Sequence, residues 1–496
     1  MDAQRGIARR MVVGLPLEGR SPTWEKDFAA YPPAGVIVFR RDFHDLGDLR
    51  RLTARLRELA RPRRLFVAMD EEGGFVSQLA GHLTVPPNAL LLARGAAPGD
   101  IEWLARVTGE RLRALGVDWV LAPVADIHCE PANPVIGPRA FGTDAATAAR
   151  GVAEAVRGFR AARVACCIKH FPGHGATALD SHLALPVCGA DRATLERREL
   201  EPFRAGLAAD AVMTAHVVYP ALDPERPATF SRAIAHDLLR GMLGFRGVCV
   251  TDALEMKGAA EGRGPFEAGR QALAAGCDLL LYAFHDDELR RVRLELARAL
   301  VDGGMERAGF DAARARLAAL DASVPVPTAE ELARPLESLT PPELEARLER
   351  IIERGIVVRG ALPASSIGEP WRVEAPGFPF GAQLGGDLAA AGVPLAGAGA
   401  GVGLVAEASA VPLAGDGAGV ELVAVAGRVP LPGAEIERLR ALARARPTVL
   451  VGLQNDGFLD AVPEASVRLS AADATPLTRR LVARMVARMA RSGARA

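Results

Sequence analysis

Eight short apolar runs, each followed by a long amphipathic stretch, fill the first three hundred residues and restrict the possible fold more than any other property of the chain. The runs are Met11–Leu15, Val36–Phe39, Leu65–Met69, Val117–Val124, Val164–Ile168, Ala211–Thr214, Val248–Thr251 and Cys277–Tyr282. Short, continuous and rich in valine and isoleucine, they read as strands buried on both faces. Among the intervening stretches, Leu46–Leu59, Asp100–Leu115, Ala145–Ala162, Arg192–Ala208, Ser231–Met242 and Pro265–Ala275 repeat apolar residues at helical spacing. Strand and helix therefore alternate. Eight such units in about 300 residues predict an α/β fold, a (β/α)8 barrel rather than an open doubly wound sheet.

The same runs locate the mouth of that barrel. Asp70 follows the third run, Asp126 the fourth, Lys169-His170 the fifth, Ala215-His216 the sixth and Asp252 the seventh. Barrel enzymes build their active sites on the face where strands end. A single strand-ending aspartate is also what a turn or a helix N-cap would use. Five successive strands ending in polar residues exceed what turns require.

The segment Lys169-His170-Phe171-Pro172-Gly173-His174-Gly175, with Asp180-Ser181-His182 after it, holds three of the nine histidines and one of only three lysines in fourteen residues. Arginine has displaced lysine almost everywhere else, so a lysine kept here points to a requirement for a compact ammonium donor. Glycines at 173 and 175 are expected to let the backbone come close to a ligand, and Pro172 to stiffen the turn. The alternative, a rigid turn with solvated histidines, explains one histidine better than a cluster.

Residues 1–305 are thus expected to form the catalytic barrel. A helical connector over 306–354 contains Val324-Pro325-Val326-Pro327 and Pro341-Pro342. From 355 to 496, apolar runs at Ile356–Val358, Val402–Ala406, Val420–Ala426 and Thr448–Leu453 alternate with helical stretches at Gly433–Ala445 and Pro476–Ala490, predicting a smaller layered α/β domain. That domain contains no His, Lys or Cys. It is expected to support stability rather than acid/base chemistry.

Sixty basic and sixty acidic side chains cancel, so no global field favours nucleic acid or an anionic membrane. Six cysteines, several within apolar runs and none in a C-x-x-C pair, read as buried hydrophobes of a reducing compartment. Met11–Leu17 after Arg9-Arg10 is too short, and too broken by Gly14 and Pro16, for a signal peptide. Ala396–Gly415 is interrupted by Glu407 and Pro412 and is poor in large apolar residues, which argues against a membrane span. A cytoplasmic, soluble protein is expected, with a small-molecule substrate and no metal or organic cofactor, since no ligand constellation such as H-E-x-x-H is present.

Several separated motifs occur together: Gly35-Val36-Ile37-Val38-Phe39, Asp70-Glu71-Glu72-Gly73-Gly74, Asn133-Pro134-Val135-Ile136-Gly137-Pro138-Arg139, Lys169 to Gly175 with Asp180-Ser181-His182, and Thr251-Asp252-Ala253-Leu254-Glu255-Met256. In this order they resemble glycoside hydrolase family 3, most closely its β-N-acetylglucosaminidases of peptidoglycan recycling. The resemblance implies a retaining hydrolase with Asp252 as nucleophile and His182, oriented by Asp180, as acid and then base. It also implies that Asp70, Arg139, Lys169 and His170 grip the sugar hydroxyls, that His216 and Met256 line the pocket, and that His174 shapes the loop. Its substrate would be a terminal β-linked N-acetylglucosaminide, a muropeptide or chito-oligosaccharide.

Departures from the family pattern fall in one place. Where the related enzymes carry Asp-Gln-Glu-Gly-Gly-Arg-Val-Gln-Arg, this chain has Glu71 for the glutamine and Phe75 and Gln78 for the arginines. The change bears on sugar preference more than on reaction type. Three alternatives follow: phosphorolysis of the same glycosides, a β-glycosidase of different sugar preference, and a non-catalytic carbohydrate-binding relic. Retention of Asp180, His182 and Asp252 together argues against the last.

Overall fold

The computed structural model describes residues 3–16, 22–178, 185–260, 262–283, 285, 287–361, 371–374, 380–391, 420–425, 431, 433–445, 447–453 and 458–492. All eight apolar runs contain strands: β1 (Met11–Val13), β2 (Gly35–Ile37), β3 (Phe66–Met69), β4 (Trp119–Val120), β5 (Ala165–Phe171), β6 (Ala211–Thr214), β7 (Val248–Ala253) and β8 (Leu279–Tyr282). They close into a parallel barrel in which β1 pairs with both β2 and β8, Met11 lying opposite Leu280 and Val12 opposite Gly35.

Alternation along each strand separates the side chains into two sets. Phe66 and Ala68, Ala165 and Cys167, Ala211 and Met213, Val248 and Val250, and Leu279 and Leu281 fill the barrel interior with Trp119, whereas Val67, Val120, Cys166, Val212, Cys249 and Leu280 face the surrounding helices. Adjacent Cys166 and Cys167 thus enter opposite cores. Large and small side chains interdigitate inside, and Phe66 meets Trp119 edge to face with ring centres 5.9 Å apart. Carrying the same parity past the strand ends places Asp70, Lys169 and Asp252 over the interior at the mouth.

Local sequence sets the helix starts. Asp45 accepts from Asp48 N ahead of the helix Leu46–Ala60, and Asp144 from Thr147 N ahead of Ala145–Ala161, each satisfying an orphan donor of the first turn. The stretch 192–208 is not one continuous α-helix: a π-helical segment, Leu195–Glu199, separates Arg192–Thr194 from Leu200–Ala205, and Ala233–Met242 is π-helical as well.

At the amino-terminal end of the barrel, the helix Arg307–Ser323 acts as a plug. Its Leu317 and Leu320, with Val324, join the interior core. This helix therefore packs with the barrel although it lies beyond residue 305. Ala329–Ala333 and Leu344–Gly355 follow. The second sheet contains β9 (Val357–Gly360), β10 (Trp371–Glu374), β11 (Val420–Val425), β12 (Thr448–Gly452) and β13 (Val467–Ser470) in the order β9-β13-β12-β11-β10. Its pairings are parallel except β9 with β13. The helices Gly433–Ala445 and Pro476–Ser492 match the spacing in the sequence. The short strands β10 and β13 and the helix Phe380–Ala390 carry too little periodicity to be read from it. The run 402–406 lies outside the described residues. Among the described residues, no helix is long and apolar enough to cross a membrane.

Candidate active site

The carboxyl ends of β3, β5 and β7 converge on a compact group of charges. Lys169, its side chain only 3% exposed, donates from Nζ to Asp70 Oδ1 at 2.6 Å and lies 2.6 Å from Glu72 Oε1. Arg139 grips the same Glu72 through Nε and Nη2, both at 2.8 Å, and donates from Nη1 to the Val135 carbonyl at 3.0 Å. Burial alone would push the Glu72 carboxyl up, but the charges of Arg139 and Lys169 outweigh it and hold the group down at about 2. Burial opposes the charge of Lys169, yet Asp70 and Glu72 keep its ammonium well above the usual lysine range. A compact cation between two carboxylates is what the solitary lysine of this segment provides.

His170 is held in one orientation. Its Nδ1 donates to Asp126 Oδ2 at 2.7 Å, and Asp126 Oδ1 accepts from the His174 backbone N–H at 2.6 Å. Asp126 is buried, which by itself raises a carboxyl, but the charge and hydrogen bond of His170 bring it below its ordinary value. The imidazole is thereby fixed with Nε2 directed away from Asp126, an orientation suited to a ligand in the mouth.

Asp252 sits where β7 changes register against β8, between Val250 and Ala253. A bulge of this kind re-aims a side chain. One carboxylate oxygen accepts from Ala253 N at 2.8 Å. Burial pushes its carboxyl up, while the charges of His170, His216 and Lys169 and the Ala253 N–H bring it below the usual aspartate range. The group is ionised at neutral pH, and among the described residues it has no ion-pair partner in direct contact.

Both ring nitrogens of His216 are engaged within the protein. Nδ1 lies 2.8 Å from Thr229 Oγ1, Nε2 donates to the Ala253 carbonyl at 3.1 Å, and the ring stacks on Phe230. Its place is beside the backbone of β7. Met256 is buried and closes the turn after β7 by donating from its N–H to the same carbonyl. His174 shapes its loop: burial lowers it to about 4, and Nδ1 lies 2.9 Å from Thr177 Oγ1. Both glycines of this loop are also required by the protein's own packing, since a Cβ on Gly175 would run into the Ile127 carbonyl and one on Gly173 into the Glu199 side chain. Asp180 and His182 lie outside the described residues.

Two of the three departures from the family pattern, Glu71 and Gln78, use their side chains to fix the loop that carries Glu72, while Phe75 bonds to Asn88 through its backbone. Glu71 is buried and accepts from Ser77 Oγ at 2.5 Å, Gln78 N at 2.9 Å and Leu79 N at 3.2 Å, while burial raises its carboxyl to about 7. Gln78 Oε1 accepts from Arg40 N at 2.8 Å, fastening the loop to the end of β2. Phe75 donates its N–H to Asn88 Oδ1 at 3.2 Å.

Two contributors escaped the sequence reading. Asn133 accepts from Val135 N and Ile136 N and donates to the His174 and Gly175 carbonyls, tying the loop of Arg139 to that of Lys169. Its position ahead of a proline was the available signal. Glu72 is the other. It stands in the sequence only as one member of the Asp70–Gly74 motif, whereas Arg139 and Lys169 fix it as their shared counterion.

Residues 21–320 match the model of the glycosyl hydrolase family 3 N-terminal domain. The chain belongs to that family. A β-hexosaminidase of Chromobacterium violaceum is 40% identical over 272 residues, covering 53% of this chain and 75% of that protein. The solved family 3 β-N-acetylglucosaminidase of Paenibacillus sp. str. FPU-7 superposes with a TM-score of 0.84 at 28% identity, covering 98% of this chain and 96% of that one. The β-N-acetylhexosaminidase of Beutenbergia cavernae gives a TM-score of 0.57 at 30% identity over 64% of this chain and 98% of that one.

Proposed function

We propose that this chain is a retaining β-N-acetylhexosaminidase that removes terminal β-linked N-acetylglucosamine from muropeptides or chito-oligosaccharides. The observation that carries the reading is Asp252, an ionised carboxylate at a strand bulge over the barrel mouth, beside the fixed His170 and the Asp70–Lys169–Glu72–Arg139 group. Asp252 attacks the anomeric carbon while His182, oriented by Asp180, gives its proton to the departing oxygen. The product is a glycosyl ester on Asp252. His182 then takes a proton from water, which attacks the same carbon, breaks the ester and releases the sugar with its β configuration restored.

Asp70, Lys169, Arg139 and His170 serve as hydroxyl ligands of the sugar in this reading, with His216 and Met256 forming the wall behind the nucleophile. A cytoplasmic role in peptidoglycan recycling belongs to this reading, and the five buried free thiols fit a reducing compartment. Turnover of p-nitrophenyl β-N-acetylglucosaminide that disappears in Asp252→Ala is the expected result. Absence of turnover in the wild-type protein, or its persistence in Asp252→Ala, would overturn the reading. Assaying in phosphate buffer for sugar 1-phosphate against free sugar separates phosphorolysis from hydrolysis.

A further inference from the structure

The loop that presents Glu72 rests on the second half of the chain. After Glu72 the backbone turns through Gly74, whose φ of +56° and contact with Asn88 leave no room for a Cβ. Gly74 N donates to the Pro86 carbonyl at 2.8 Å and Phe75 N to Asn88 Oδ1 at 3.2 Å, so the loop lies flat on the segment 86–88.

Asn88 stands at the N-cap of the helix Ala89–Gly95, yet its side chain makes no capping bond to that helix. An N-cap asparagine ordinarily satisfies a first-turn N–H. Here Oδ1 serves Phe75, Nδ2 donates to the Ala472 carbonyl at 2.9 Å, and the Asn88 backbone N–H donates to Asp473 Oδ1 at 3.0 Å. Asp473 is fully buried and is itself fixed, its Oδ2 accepting from Thr475 N, Thr475 Oγ1 and Thr478 Oγ1 at 3.0, 2.6 and 2.5 Å. Ala472 holds a φ of +51°, uncommon for a residue with a Cβ, and so turns its carbonyl toward Asn88. At the other end of the short helix, Gly95 packs so closely on Leu344–Gly355 that a Cβ would strike the Ile351 carbonyl.

We infer that the second domain positions the sugar-binding loop of the barrel, with Asn88 and Asp473 as positioning residues that set where Glu72 holds Lys169 and Arg139. This rests on the reading of Lys169 and Arg139 as sugar ligands. Hydrogen bonds link Asp473 to the Asn88 backbone and the Asn88 side chain to Phe75 N, and the turn at Gly73-Gly74 carries the connection covalently to Glu72; no acid/base group of the second domain is required. A displacement of the loop by a fraction of an ångström weakens every hydroxyl contact organised by Glu72.

The test uses the full-length Asp473→Ala variant. Hydrogen exchange across residues 71–79 should accelerate, and KM for p-nitrophenyl β-N-acetylglucosaminide and Ki for N-acetylglucosamine should rise together by roughly tenfold while kcat stays within about threefold. Arg480→Ala removes only an exposed pair with Glu345 and should change none of these. A folded Asp473→Ala protein with wild-type KM and Ki, or with unchanged exchange over 71–79, overturns the inference. Should Asp473→Ala fail to fold, Asp473→Asn applies the same criteria with a smaller expected shift. A wild-type protein that turns over no aryl N-acetylhexosaminide counts against the proposed activity, whereas the exchange measurement judges the positioning role independently.

Discussion

Both ends of the barrel bury charged groups, but they treat them differently. At the amino-terminal end Asp118 accepts from Val67 N at 2.8 Å and pairs with Arg57 and Arg64, each at 3.0 Å. Asp278 accepts from Cys249 N at 2.9 Å and pairs with Arg240 at 2.7 Å and with Arg316 of the plugging helix at 2.6 Å. Each carboxylate there meets two guanidinium groups and a backbone donor. At the mouth, Asp252 accepts from one backbone donor and pairs with no guanidinium group among the described residues, while Lys169 acts on it through space. A buried carboxylate whose partners all come from the protein stabilises the fold. One kept ionised by a surrounding field, with bonding capacity left over, is poised for an outside partner.

The sharpest way to break this contrast is a pair of isosteric substitutions. Asp252→Asn should cost roughly a thousandfold or more in kcat while leaving circular dichroism and Tm near wild type, because it removes the nucleophilic charge at nearly constant volume. Asp278→Asn should do the reverse, leaving kcat of the folded protein intact. It strands buried Arg240 and partly exposed Arg316 and should lower stability by about 3 to 5 kcal/mol, read from urea unfolding. Retention of more than about a hundredth of activity in Asp252→Asn would remove it as nucleophile. Loss of kcat in a folded Asp278→Asn protein would erase the distinction between the two ends.

His182→Ala comes next in size. Glu72 is held as an anion at about 2 and has no proton to give near neutrality, so the departing oxygen must be protonated from elsewhere. Loss of a general acid should reduce turnover of natural oligosaccharides by roughly a hundredfold or more and that of activated aryl glycosides much less. Asp180→Ala should follow the same pattern more mildly. On an activated substrate the glycosyl-enzyme should accumulate and added azide should speed its breakdown. Equal losses on good and poor leaving groups, without azide rescue, would move the acid/base to Glu255.

The smallest expected effect belongs to Glu255. Its Oε1 accepts from Ala283 N at 2.6 Å, its buried Oε2 has no partner among the described residues, and burial raises the carboxyl to about 7. A carboxyl raised in the folded state favours the neutral form there. Below its unfolded value both states are protonated and nothing is lost. As pH climbs through the folded value, ionisation in the folded protein costs stability. Glu255→Gln should therefore raise Tm at pH 8, on the order of a few degrees, and leave it unchanged at pH 4. An equal gain at both values would show that ionisation of Glu255 has no part in the effect. Glu72, depressed to about 2, carries the opposite sign: it contributes stability above the ordinary glutamate range that is lost as pH falls toward 2.

The barrel was legible because its pattern is local. Each strand announces itself within a few residues, and the parity that sends Val248 and Val250 inward also carries Asp252 over the mouth. The motif order gave the family and the residue types that chemistry of this kind needs. Sequence alone could not assign partners. Glu72 could equally have been a free acid until barrel closure set it between Arg139, at the end of a short helical turn, and Lys169, within β5. His216 reads as a pocket histidine, and the partners of its two nitrogens, Thr229 and Ala253, are supplied only by the closed fold. Asn88 and Asp473, 385 positions apart, carry no mutual signal at all. Periodicity and turn chemistry act over one or two turns of chain and survive in the sequence. Pairing of buried charges depends on which loops the closed fold brings within about 3 Å, a distance that only tertiary structure decides.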